Sequence, residues 1–215
     1  MNNRTRKITT LGMLCAIAYV VMLVARIPIV LFLKYDPKDV VITIGGLIWG
    51  PMASFTVTVI VSFIEMLTVS DNGIIGFIMN VLQSSIFACT AALIYKKHRK
   101  MSGAIGGLFC AFVLTTVVMM LWNYFMVPIY MGIPRESVAE LLIPAFLPFN
   151  IIKGGLNSAF TLLLYKPIVS ALRRTNLIAQ TTAEKHTKNS IGVWVIALLI
   201  LATCILLILS LKNLI

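Results

Sequence analysis

The sequence predicts an all-α integral membrane protein, and three observations carry that reading. The 215-residue chain is 60% hydrophobic and 12% charged, with a mean hydropathy of +0.99, a balance typical of chains that sit in lipid. Its apolar segments are long and continuous enough to cross a bilayer as helices, whereas a transmembrane β-barrel would show short alternating stretches. Its basic residues cluster between those segments, so the net charge of +11 reads as membrane orientation rather than nucleic-acid binding.

The first apolar run, residues 8–26, follows Arg4, Arg6 and Lys7. It lacks a small-x-small cleavage site and leads into loop-like sequence, so it is read as a retained helix rather than a signal peptide. Gly12 and Ala16, four apart with Ala18 close by, form a face that another helix backbone can approach; packing inside the bundle is the plainer use of it. Pro28 interrupts, and residues 29–39 form a connection in which Leu31, Phe32 and Leu33 precede Lys34, Tyr35, Asp36, Lys38 and Asp39. That mixture suits either a segment folded over a cavity mouth or an anchor at headgroup level.

Residues 40–50 make a short apolar element closed by Gly50-Pro51, a turn signal, after which a helix over 52–69 carries Glu65 near its far end. There the carboxylate is expected to reach water in a structural or interfacial role. Asp71-Asn72-Gly73 turns the chain into a helix over 74–95, with Asn80, Gln83, Ser84 and Ser85 as a polar stripe; interhelical hydrogen bonds explain most such stripes. The charge run Lys96–Lys100 follows, then a helix over 104–130 containing Trp122-Asn123-Tyr124, and a polar connection over 132–142. The next helix, to residue 172, opens with Pro144-Ala-Phe-Leu-Pro148-Phe149-Asn150-Ile-Ile-Lys153-Gly154-Gly155. Residues 173–190 read as a hydrophilic linker, and 191–211 as the cleanest span of all, a seventh helix with little chemistry in it.

Placing the N-terminus in the cytoplasm puts Arg4, Arg6, Lys7, the 96–100 cluster, Lys166, Arg173, Arg174, Lys185 and Lys188 inside, with Asp36, Asp39, Asp71, Glu136 and Glu140 outside. That asymmetry fits the positive-inside rule. The polar residues of interest then gather in the outer half.

Asn150 and Lys153 are three apart and share a helix face, although an ionisable side chain in hydrocarbon costs about 3 kcal/mol on insertion scales. Lys153 can snorkel to the nearer surface, or the pair can face a polar ligand; together with Asn123 and the 32–35 segment, the ligand reading is preferred. Amides both donate and accept, matching the alternating edge of a heterocycle, aromatic side chains can sandwich a flat ring, and Gly154-Gly155 would let it approach closely. HExxH, GxSxG, Walker-type loops and paired aspartates on neighbouring helices do not occur, so an enzyme is disfavoured. Cys15, Cys89, Cys110 and Cys204 lie in apolar runs and read as small core residues, and isolated His98 and His186 do not suggest a metal site. What remains is a small-solute binding module in a membrane.

At this point the chain resembles the riboflavin-specific substrate-binding (S) components of energy-coupling factor (ECF) vitamin transporters, over about residues 5–172. The resemblance rests on Phe32-Leu33-Lys34-Tyr35-Asp36-x-x-Asp39, Gly50-Pro51, Trp122-Asn123-Tyr124 with Pro128 and Tyr130, and Pro148-Phe149-Asn150-x-x-Lys153-Gly154, in that order. It implies a six-transmembrane-helix bundle over residues 1–172 in the bacterial cell membrane, with both ends of the domain cytoplasmic. The linker 173–190 and an additional C-terminal transmembrane helix over 191–215 follow it. It implies riboflavin as the transported ligand, no cofactor, and a site near the outer face formed by Phe32, Leu33, Tyr35, Asn123, Asn150 and Lys153. It further implies docking of Gly12 and Ala16 onto a transmembrane coupling protein driven by two cytoplasmic ATPases. Here the docking pair is Gly-x-x-x-Ala where the family has Ala-x-x-x-Ala, and Pro37-Lys38 stands where an aromatic and a serine are commoner. The alternatives are an S component for thiamine, biotin or a pyridoxine-like vitamin, and a non-transport structural membrane protein whose polar residues merely join helices.

Overall fold

Apolar runs separated by glycine, proline and charge become eight helices and a small hairpin in the computed structural model, which describes residues 3–30, 33–70, 72–175 and 190–211. Phe32 and most of the 173–190 segment lie outside the described residues. The helices are α1 (Asn3–Val24), α2 (Lys38–Trp49), α3 (Pro51–Thr68), α4 (Gly73–Lys97), α5 (Met101–Met131), α6 (Arg135–Leu141), α7 (Leu147–Arg174) and α8 (Ser190–Leu211). Exposed Phe55 and Phe63 of α3, Phe109 and Phe125 of α5, and Leu199 of α8 form the surface expected against lipid. The chain is an all-α membrane protein, with α1 to α5 and α7 as a six-helix bundle and α8 as the addition; all of these except the twelve-residue α2 lie in segments long and apolar enough to cross a bilayer.

The connection after α1 is a β-hairpin rather than a plain loop. Strands β1 (Ile27–Val30) and β2 (Leu33–Tyr35) pair antiparallel, with an irregularity in register between Pro28 and Val30. Pro28, having no N–H to donate, is tolerated at such a position. The hairpin is needed because α2 is short. Its twelve residues rise about 18 Å, against about 27 Å for the eighteen of α3. Since the two join through Gly50-Pro51, α2 begins roughly 9 Å short of the other end of α3, and the hairpin occupies that step.

The Gly50 turn shows why this link can be so tight. Its φ of +91° and ψ of 173° fall in a region essentially restricted to glycine, and Pro51 starts α3 with its fixed φ. At the other end of the molecule, α5 stops at Gly132 (φ +66°), whose N–H bonds to the Pro128 carbonyl at 3.1 Å. Residues 132–142 hold more structure than a polar connection: α6 leads through a π-helical turn, Leu142–Phe146, directly into α7. Pro144, lacking an N–H, sits in that turn, where the ordinary ladder could not run through it.

Four apolar clusters hold the bundle. Leu14, Ala18, Ile42, Val57, Val61 and Ala88 join α1 to α4, and Phe87, Leu108, Ala111, Leu162 and Ala197 join α4, α5, α7 and α8. Val127, Val138 and Phe146 seal α5, α6 and the start of α7. The fourth packs Ile29, Val30 and Tyr35 of the hairpin on Phe149, Ile152 and Leu156 of α7 and Cys204 of α8. The hairpin is thereby fixed on one side by both helices.

Candidate ligand site

A cavity of about 350 Å³ opens at the hairpin end of the bundle. Leu33 of β2, Asn123 of α5, and Phe149, Asn150 and Lys153 of α7 line it. Four of the six residues expected to bind ligand, Leu33, Asn123, Asn150 and Lys153, are thus brought together. Tyr35 stands behind that wall, 4% exposed, donating its hydroxyl to Asn157 Oδ1 at 3.1 Å. Burial, reinforced by the Asp39 and Asp36 carboxylates, pushes its phenol upward in pKa, so it remains a neutral donor.

Lys153 does not snorkel. It is 5% exposed, donates from Nζ to Gln83 Oε1 at 3.2 Å and lies 3.8 Å from Asp39 Oδ2. Asp39 accepts from Ser84 Oγ and, at 3.2 Å, from Asn157 Nδ2. The ammonium is therefore held inward by groups on α2, α4 and α7, with donor capacity left for a ligand. Asn150 donates to the Phe146 carbonyl at 2.8 Å, which fixes its amide and leaves Oδ1 as an acceptor. Asn123 and Asn80, both buried and both lining the cavity, have no side-chain hydrogen-bond partner among the described residues. The wall thus offers an acceptor, free amides and the cations Lys153, Arg26 and Lys34 around one cavity, a combination suited to a polar heterocycle.

Asn80 and Gln83, expected only to join helices, are cavity residues. Their i, i+3 spacing within an apolar run is the same signal that singled out Asn150 and Lys153, and it applies equally to both pairs.

Two sequence expectations are corrected here. Glu65 does not reach water: it is fully buried, paired through Oε1 with Arg26 at 3.3 Å and through Oε2 with Lys38. The short α2 causes this, because it sets Lys38 at the depth of Glu65 instead of at the bundle's rim. The glycine pair after Lys153 serves helix packing instead of ligand approach. A Cβ on Gly154 would lie 2.4 Å from the Phe112 ring, and one on Gly155 2.7 Å from Cys204 Sγ, so they admit α5 and α8 respectively. Gly12 and Ala16 lie on the exposed face of α1, and a Cβ on Gly12 would meet nothing within 4 Å; Leu14, Cys15 and Ala18 bury the opposite face.

Taken together, these features define a multi-pass membrane protein with a solute-sized polar cavity under a hairpin. The model of the family described as "ECF transporter, substrate-specific component" matches residues 6–165, and the chain belongs to that family. It is accordingly a transporter component and not an enzyme. The riboflavin transporter RibU of Staphylococcus aureus (strain TCH60) is 29% identical over 180 residues, covering 80% of this chain and 94% of that protein. The riboflavin transporter FmnP of Bacillus subtilis (strain 168) is 27% identical over 164 residues, 70% of this chain and 85% of its own. A solved chain, from work on the structure and mechanism of the S component of a bacterial ECF transporter, superposes with a TM-score of 0.67 at 30% identity. It covers 80% of this chain and 99% of that one. Helix α8 lies beyond the family match.

Proposed function

We propose that this chain captures riboflavin from outside the bacterial cell and delivers it inward as the S component of an ECF transporter. One observation carries the reading: Asn123, Asn150 and Lys153 converge on a cavity of about 350 Å³ at the hairpin end of the bundle, within the usual range for small-molecule sites. The flavin ring system sits between Leu33, Phe149 and neighbouring apolar side chains, and its polar edge meets the two amides and the ammonium. The riboflavin transporters among its relatives support this choice of cargo.

Orientation follows from charge. Lys96, Lys97, Arg99 and Lys100 of the α4–α5 turn, the N-terminal bases and Arg173 and Arg174 lie at the end opposite the cavity, which the positive-inside rule assigns to the cytoplasm. Six-helix capture is residues 1–172; the linker and α8 are a separate addition. Gly12 and Ala16 give the coupling protein a smooth face on α1, and two ATPases supply the energy to turn the site inward.

A thermal-shift panel on purified protein tests the cargo. Riboflavin should raise the melting temperature by several degrees while thiamine, biotin and pyridoxine leave it unchanged. A larger shift with one of those vitamins would contradict the assignment.

A further inference from the structure

Asp36 sits where β2 descends into α2, is 3% exposed, and lines the cavity. Its carboxylate differs from the other buried acids of this region. Asp39 accepts from Ser84 and Asn157 and faces Lys153, and Glu65 is engaged through both oxygens by Arg26 and Lys38. Neither oxygen of Asp36 accepts a hydrogen bond from a described residue; Oδ1 is buried, and the nearest cation, Lys38 Nζ, is 3.9 Å from it. Buried carboxylates without hydrogen-bond donors are rare in folded proteins and call for a reason. Here the reason is position, because the group stands on the wall of a ligand cavity.

Resting on the riboflavin reading, we infer that Asp36 determines specificity by accepting hydrogen bonds from the ligand's polyol hydroxyls. The ring of a flavin is rich in acceptors and carries a single N–H, so its edge is matched by Lys153, Asn123 and Asn150 on α5 and α7. A carboxylate is an acceptor only. It therefore complements the other part of the molecule, the hydroxylated chain, whose O–H groups are the abundant donors. It reaches the cavity from the hairpin connection, a different element from the α5 and α7 that carry those donors.

Lumiflavin, the same ring bearing a methyl group in place of the polyol, separates the two contacts. Both ligands are titrated by fluorescence quenching against wild-type protein and the Asp36→Ala and Asp36→Asn variants. A hydrogen bond to a charged group corresponds to about tenfold or more in affinity. Asp36→Ala should weaken riboflavin by about that factor and leave lumiflavin within about twofold, with Asp36→Asn, which keeps a neutral acceptor, in between. Should the alanine variant not fold, the near-isosteric asparagine variant carries the same comparison. Equal losses for both ligands, or no loss for riboflavin, would overturn the assignment and reduce Asp36 to a partner of Lys38. Wild-type protein that binds neither flavin would instead overturn the riboflavin reading itself.

Discussion

Lys153 Nζ lies 3.8 Å from Asp39 Oδ2 inside the bundle, and Asp39 is held in turn by Ser84 and Asn157. The contact ties the first turn of α2 to the second turn of α7, so one ion pair fixes both the cavity wall and the segment that carries the hairpin. Removing one member of a buried pair strands the other, which costs about 3–5 kcal/mol. Asp39→Ala should therefore lower stability by about that amount and also weaken ligand binding, because Lys153 loses its anchor. Thermal unfolding in detergent, with and without ligand, measures both effects. An Asp39→Ala variant of unchanged stability would show that Lys153 is held by Gln83 alone.

Buried Lys38 and Glu65, with half-buried Arg26, form a second charged set. Lys38→Met alone leaves Glu65 facing only Arg26, and Glu65→Gln alone leaves Lys38 with Asp36 at 3.9 Å and no hydrogen-bonded carboxylate. Each single variant should lose about 3–5 kcal/mol, whereas the Lys38→Met, Glu65→Gln double variant should lose clearly less than their sum. A double-mutant cycle on the unfolding free energies reads the coupling. Simple additivity would mean that the pair contributes nothing specific.

The close approach of α8 to α7 depends on Gly155. Its Cβ replacement would stand 2.7 Å from Cys204 Sγ, so Gly155→Ala should cost about 1–3 kcal/mol through overpacking. Adding Cys204→Ala removes the clashing sulfur and should restore most of that loss. Ligand affinity should change little, since Gly155 does not line the cavity. Failure of the rescue would place the cost elsewhere than at the α7–α8 contact.

How much of this was legible beforehand depended on whether the signal was local. Continuous apolar runs and Gly-Pro punctuation located the long helices, and the i, i+3 placement of Asn150 and Lys153 in an apolar run singled out two residues of the cavity wall without any tertiary information. The burial of Asp36, Lys38 and Asp39 was not legible. It arises because α2 is only twelve residues long and starts below the ends of its neighbours, a relation between two helices that no single segment expresses. Glu65 was misplaced for the same reason. Gly154 and Gly155 looked like room for a ligand, since sequence cannot say which helix fills a glycine's gap. Asn80 and Gln83 carried the right spacing, but an interhelical hydrogen bond and a ligand contact have the same signature until the cavity is seen.

Docking and capture should separate cleanly. Gly12→Leu adds bulk to an exposed face of α1 that contacts nothing in the chain, at a distance from the cavity. The variant should bind riboflavin like the parent chain while losing co-purification with the coupling protein and ATP-dependent uptake in vesicles. Uptake at the parental rate would remove this face from the interface.

Riboflavin titration of wild-type protein beside an Asn150→Ala, Lys153→Ala double variant tests the central claim most directly. The wild-type protein should quench flavin fluorescence with saturable, stoichiometric binding. The double variant, losing one amide contact and one charged contact, should bind about 100-fold more weakly or worse. Unchanged affinity in a folded double variant would show that riboflavin, if bound, is held somewhere other than this cavity.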